Sequence, residues 1–419
     1  MDNLSHSLIG LIAGESIARS RRAGESSLAP ETRRGLLVTL SVVGSNLPDL
    51  DLVYSYHPFS HDTQSKLDYM LQHRGYTHTV LVCLVLAALL YGAAELWARW
   101  RRATLTGHRL LIAATSLLGV ALHLGMDALN SYGVHPFWPL ENRWLYGDSV
   151  FIAEPLYWAA ALPLFFVVRS TSARVILALA PMLAVLALLL LHLATPLWCA
   201  GYVLLSLVLL FAGARTSATT AAFTAAGVAV AVTAMFIVAG ATAARRTDAI
   251  AAADFSGDRV IDHILTPVPT NPLCWDVLLL GTRGDLYTVR LGVLSLSPVL
   301  LPAGRCPRTS RTRSRTALIA PMPQSASSSE IQWTGEFSMS RALLAKLTGS
   351  HCRAAALMQF VRAPFGAELQ SQWVMGDLRF DRARGGGMTL IDVGPPSGAE
   401  CRSRAPWTPP RADLLDLRR

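Results

Sequence analysis

The sequence predicts a mainly α protein: a polytopic transmembrane helical bundle followed by a smaller mixed α+β extramembrane domain. Three observations predict it. Only 16% of the 419 residues are charged, where a soluble globular protein carries about 25%. Hydrophobic residues make up 52% and mean hydropathy is +0.37. The long apolar runs are confined to residues 1–244, whereas 245–419 holds strand-like segments, loops and most of the prolines. This divides the chain into 1–168, 169–244 with additional spans, and 245–419. The net charge of +9 comes from arginines clustered beside apolar runs, as in membrane proteins, and no nucleic-acid signature accompanies it, so nucleic acid is not an expected partner.

A spanning helix needs about 20 apolar residues. The stretches 79–98, 110–129, 151–168, 175–193, 196–213 and 219–244 meet or approach that length. Two shorter stretches, 4–18 and 35–47, are expected as half-buried helices packed on the bundle. The start, Met1-Asp2-Asn3-Leu4-Ser5-His6, lacks the basic region of a secretory signal and is expected to be retained.

Arginine sets the orientation. Threading the runs puts Arg19, Arg21, Arg22, Arg33, Arg34, Arg99, Arg101, Arg102, Arg109, Arg169, Arg174 and Arg215 on one side, which the positive-inside rule makes cytoplasmic. Segments 45–78 and 130–150 and the C-terminal domain then lie opposite, with Arg245 and Arg246 as a local counter-signal. Cys274, Cys306, Cys352 and Cys401, an even number in that domain, suit an oxidising compartment and allow three pairings.

Ionisable residues gather where the non-cytoplasmic segments meet the membrane. Asp2 and His6 share a helix face, as do His123 and Asp127, each pair being four apart. Asn46-Leu47-Pro48-Asp49-Leu50-Asp51 brings two carboxylates after a proline, and His73-Arg74-Gly75-Tyr76-Thr77-His78 precedes an apolar run. Topology puts all of these at one membrane face. His and Asp are ligand types for zinc, manganese or iron, and a carboxylate at membrane depth needs a compensating partner. Each residue also has a plainer reading: Asp2 as a helix-dipole partner, Asp49 in an Asx turn, His123 and Asp127 hydrogen-bonded to each other. His57, His61, His108, His192 and His263 read as ordinary loop or interface histidines, and Asp62 and Asp68 as solvated.

The segments MDNLSHSLIG (1–10), NLPDLD (46–51), HRGYTH (73–78) and HLGMDALNSYG (123–133) resemble the YdjM-like family of membrane-bound proteins assigned as metal-dependent hydrolases. The resemblance covers about 1–160 closely and extends to 266–275. It implies a bacterial inner membrane location and His6, Asp49, Asp51, His73, His78, His123 and Asp127 as metal-site residues. A more distant likeness, to trinuclear-zinc phospholipases C and nucleases, makes His135, Asp148 and Glu154 candidates for a third ion. The His-x-x-x-Glu spacing of that group is missing.

These readings combine into an expected membrane hydrolase with a divalent cofactor, zinc first and two or more ions. It would act on a phosphoester or related ester at the non-cytoplasmic face. Arg74 is expected either to grip a phosphate through its guanidinium fork or to bind lipid headgroups. The alternatives are a non-catalytic protein whose site holds metal for structure, sensing or transport, and a lipid-modifying transferase. No H-E-x-x-H, H-x-x-H-H or G-x-S-x-G occurs. In the C-terminal domain, hairpins are expected over 275–291 and 376–393, with helices at 341–347 and 353–361. The Arg/Ser-rich stretch 303–330, with Arg305, Arg308, Arg311, Arg313 and Arg315, reads as a flexible loop or a headgroup-binding patch.

Overall fold

The computed structural model describes residues 1–20, 28–56, 62–307, 319–323, 326–369, 371–382, 387–395 and 405–416. Arg21, Arg22, His57, His61, Arg308, Arg311, Arg313, Arg315 and Cys401 lie outside them, as does much of the Arg/Ser-rich stretch.

Among the described residues, five helices are long and apolar enough to cross a membrane: α5 (Val80–Trp100), α6 (Arg109–Ala128), α8 (Thr171–Leu190), α9 (Pro196–Arg215) and α10 (Ala218–Asp254). Thr79, Ser170, Thr195 and Ser217 cap α5, α8, α9 and α10, each side chain accepting an N–H of the first turn. The two shorter stretches are helices α1 (Asn3–Ser20) and α2 (Pro30–Gly44), and α1 is largely buried against α2, α6 and α10. It is a central element of the bundle. After α2 the chain bends by 53° into a 3-10 turn, Leu47–Asp51, and the short α3 (Leu52–Ser55). Helix α4 (Thr63–Gln72) and a second 3-10 turn, Tyr76–His78, lead into α5.

The expected span 151–168 is not one helix. Proline starts α7 (Pro155–Ala160), and a second proline, Pro163, interrupts it, so the chain continues as a 3-10 turn over Leu162–Phe166. The segment still joins the two ends of the bundle. Ile152 accepts a hydrogen bond from the Asp2 N–H at one end. At the other, Val167 accepts from Arg34 and Arg169 pairs with Glu31. The alternation of ends therefore survives, and Arg19, Arg34 and Arg169 gather away from the motif-bearing loops, Arg19 and Arg34 both on buried Glu15.

At 37 residues, α10 is ~55 Å long, well beyond a bilayer core. Its last turns carry the C-terminal region: Gly240 touches Trp275, and Arg246 pairs with Glu330. Arg245 and Arg246 lie in this part of α10, beyond the apolar run 219–244.

Strands β1 (Arg259–Val268), β2 (Asn271–Arg283), β3 (Leu286–Ser295) and β4 (Ile331–Ser340) form an antiparallel sheet in sequence order. The first expected hairpin is β2–β3, with Leu280 opposite Val289. Alternate residues face opposite ways. Trp275, Val277 and Leu279 join the core shared with α10, while Leu278, Leu280 and Val289 pack with α11 (Arg341–Ser350), α12 (Cys352–Met358) and Leu67 and Met70 of α4. A sheet covered on both faces accounts for the unbroken apolar run in β2. The second expected hairpin is displaced: β6 (Gln372–Asp377) does pair with the short β7 (Ile391–Asp392), but its tight hairpin is with β5 (Pro364–Leu369). One cysteine pairing is defined, Cys274–Cys306, and Cys352 is also disulfide-bonded.

Candidate metal centre

Close helix contact brings the motifs together. Gly44 of α2 lies against Gly119 of α6, where a Cβ would stand 2.9 Å from the Ser41 carbonyl oxygen. This contact sets the end of α2, and the 3-10 turn after it, beside His123 and Asp127 near the end of α6. On α1, Asp2 caps the helix by accepting the Ser5 N–H at 2.9 Å, and His6 turns inward to stack on His123 at 4.0 Å.

Asp49, His78, His123 and Asp127 each point one ligand atom to a common point, all four within 4.8 Å of one another. His78 and His123 approach through Nε2 at 3.0 Å. The Asp127 Oδ2 atom is 3.2 Å from one and 3.4 Å from the other; Asp49 Oδ1 is 3.4 and 3.5 Å away. The outer ring nitrogens define the tautomers. Nδ1 of His123 is 2.8 Å from the Ser45 carbonyl, which only accepts, so Nδ1 carries the proton and Nε2 presents a lone pair. Nδ1 of His78 faces Asp51 at 3.4 Å and Thr77 Oγ at 3.1 Å, with the same result. Two imidazole lone pairs and two carboxylate oxygens thus converge in the interior with no hydrogen to share among them. Metal-binding histidines show this arrangement, the far N–H held by a carbonyl or carboxylate.

Asp49, Asp51 and His73 form a second such group. Asp51 accepts from the Arg74 N–H and the Thr77 hydroxyl, both at 2.9 Å, and lies 3.0 Å from His73 Nδ1. Burial lowers the His73 pKa below its ordinary value, although Asp51 pulls the other way. Asp49 belongs to both groups. All seven sequence-derived ligand candidates therefore meet in one place. His6 is in neither group; its Nε2 is 3.3 Å from Asp127 Oδ1, and neither ring nitrogen makes a hydrogen bond.

Arg74 is fully inside, at φ 60°, in the left-handed region that a non-glycine residue occupies at a cost of about 1 kcal/mol. Its guanidinium pairs with Asp127 at 2.8 Å, donates to Asn130 Oδ1 at 3.1 Å, and lies over the Tyr132 ring, while Nε has no partner. The α-amine of Met1 also pairs with Asp127.

None of the third-ion candidates belongs to either group, and the two carboxylates are otherwise engaged. Asp148 pairs with Arg362, and Glu154 accepts N–H bonds from Leu156 and Thr270. His135 is buried between Trp144 and Trp407, each 4.5 Å away, with neither nitrogen partnered; burial pushes its pKa down to about 4. Asp62 caps α4 from an exposed position, as a solvated residue would.

Sequence reading did not find the groups that hold the site in shape. Ser45 enters through a backbone carbonyl, and Asn130 and Tyr132 act through Arg74. Tyr132 is fixed from the C-terminal region, where Arg379 donates to the Ser131 and Tyr132 carbonyls and pairs with Asp377. No spacing in the sequence links 131 to 379.

No curated protein and no solved structure matches the chain. The resemblance carried by the four motifs is borne out: residues 1–198, which contain every member of both groups, match the model of the YdjM inner membrane protein family.

Proposed function

We propose that the chain is a membrane-embedded, metal-dependent hydrolase acting on a phosphoester or related ester at the non-cytoplasmic face, with zinc the first choice of metal. The carrying observation is the convergence of His78 Nε2, His123 Nε2, Asp49 and Asp127, with both far ring nitrogens already committed as donors. Asp49, His78, His123 and Asp127 would hold one ion; Asp49, Asp51 and His73 would hold a second. Bound there, the metal would supply Lewis acidity and an activated water. Asp51 orients His73 and His78, and the Ser45 carbonyl orients His123. Arg74, with a free Nε beside the cluster, would meet a phosphate oxygen once its hold on Asp127 is shared with metal.

The test is turnover of a phosphoester by detergent-purified protein with and without zinc. Arg74→Lys should retain metal while losing turnover at least tenfold, because lysine cannot make a bidentate contact. Metal retention with no turnover on any phosphoester tried would favour the second reading, a site that binds metal for structure. Burial supports that reading: His6, His78, His123 and Asp127 are all fully buried. Orientation has its own test. A reporter fused after Arg102 should report cytoplasm and one in the C-terminal region the opposite side; the same side for both would remove the single-face argument.

A further inference from the structure

The membrane-facing end of the C-terminal sheet carries a feature unrelated to the metal cluster. Between β3 and β4 the chain forms a loop, 296–307, pinned to β2 by the Cys274–Cys306 disulfide and by the Leu296 N–H donating to Leu273. Its tip holds two apolar side chains in full view, Val299 at 94% and Leu300 at 78% exposure. Such residues on a soluble loop would be a liability, but their position gives them a use. The neighbouring β1–β2 turn is docked on the start of α9, where Trp198 Nε1 donates to Thr270 at 3.1 Å. The loop tip therefore sits level with the first turn of a spanning helix, beside the 85% exposed Leu197. Between loop and helix lies a cavity of about 270 Å³ lined by Leu197, Trp198, Leu300, Leu301 and Arg305 among others. Arg305 is exposed, and its guanidinium makes no ion pair among the described residues.

We propose that this loop dips into the bilayer and that the cavity takes one anionic phospholipid, its phosphate held by Arg305 and its acyl chains lying along Leu197 and Leu300. The chemistry is that of an interfacial anchor. Trp198 occupies the headgroup level favoured by indole rings, Val299 and Leu300 enter the hydrocarbon, and a cation faces the phosphate layer. Charge selects the occupant: the cavity offers one unpaired cation above an apolar floor, which fits an anionic amphiphile better than a free anion or a zwitterionic lipid. The anchor would fix the height of the C-terminal sheet above the membrane.

The test uses the full chain in nanodiscs with an environment-sensitive fluorophore on Val299→Cys, at the loop tip but outside the cavity lining. The labelled wild type serves as background. Spin-labelled phosphatidylglycerol and spin-labelled phosphatidylcholine are compared as quenchers. The proposal expects quenching by both, at least threefold stronger by phosphatidylglycerol, and equal quenching by the two once Arg305→Gln is added. Inorganic phosphate at millimolar concentration should leave the preference intact. Absence of quenching would show a loop in water and overturn the proposal. So would equal quenching by the two lipids in the parent, a preference that persists in Arg305→Gln, or loss of preference to inorganic phosphate.

Discussion

Nε2 of His78 and Nε2 of His123 face each other at 3.0 Å in the interior of the molecule, each with its Nδ1 already committed outward. Two neutral imidazoles do not hold that distance for their own sake, since two lone pairs repel. The carboxylates of Asp49 and Asp127 add two more acceptors to the same point. Everything that builds the site serves to hold these four atoms together, and the consequences can be tested away from the ligands.

The Gly44–Gly119 contact should be as necessary as a ligand. In Gly119→Leu the added side chain meets the Ser41 carbonyl and Gly44 Cα, 2.9 and 3.0 Å from the new Cβ, and α2 must move off α6. Overpacking of this kind costs about 1–3 kcal/mol. The melting temperature and the metal content should both fall, although no ligand has been touched. Wild-type metal content in Gly119→Leu would show that the contact does not position Asp49.

Arg362 joins the loop after α6 to the C-terminal region through Asp148 at 2.8 Å and Asp262 at 2.8 Å, over the ring of Tyr146. Arg362→Met leaves buried Asp148 without its cation, while Asp262 keeps only Arg411, at 3.2 Å. Removing one member of a buried pair costs about 3–5 kcal/mol. Asp148→Asn should be milder, because Asp262 still holds the guanidinium. Equal melting temperatures for Arg362→Met and wild type would contradict the network.

His135 gives a pH dependence with a defined sign. Its pKa is depressed to about 4 by burial, against 6.5 when unfolded, so the folded chain binds fewer protons in between. Its neutral form stabilises the fold above pH 6.5, and that stability is lost as pH falls from about 6.5 towards 4. His135→Phe fills the slot between Trp144 and Trp407 without a titrating group, so the fall in melting temperature from pH 7 to pH 5 should shrink by a few °C. An unchanged fall would assign the acid sensitivity to other groups.

These tests also mark what could be read from the chain alone. The His123/Asp127 pair was legible because helical periodicity puts i and i+4 on one face. The Asp49/Asp51 and His73/His78 motifs were legible because polar residues at the mouths of apolar runs need a reason to be there. Segment 151–168 misled because hydropathy ignores backbone donors: Leu162 and Leu164 score alike in a helix and in a 3-10 turn, and only Pro155 and Pro163 tell them apart. Strand β1 lacks the clean alternation of a half-exposed strand. Strand β4 does alternate, with Ile331, Trp333, Phe337 and Met339 inward against Gln332, Thr334, Glu336 and Ser338, a signal the sequence carried. Contacts across long separations, such as Arg379 on the 131–132 carbonyls or Gly44 on Gly119, leave no trace in local pattern.

The central claim is that the buried His/Asp cluster holds a divalent metal, and metal content per chain in detergent-purified protein tests it most directly. Wild type should carry at least one divalent ion. Asp49→Asn and Asp127→Asn keep the shape but remove charge that offsets the cation, and should lower the content at least threefold. Asp62→Asn and Asp68→Asn, altered outside the cluster on α4 and its cap, should match wild type. Metal-free wild type, or wild-type content in both Asp49→Asn and Asp127→Asn, would contradict the account.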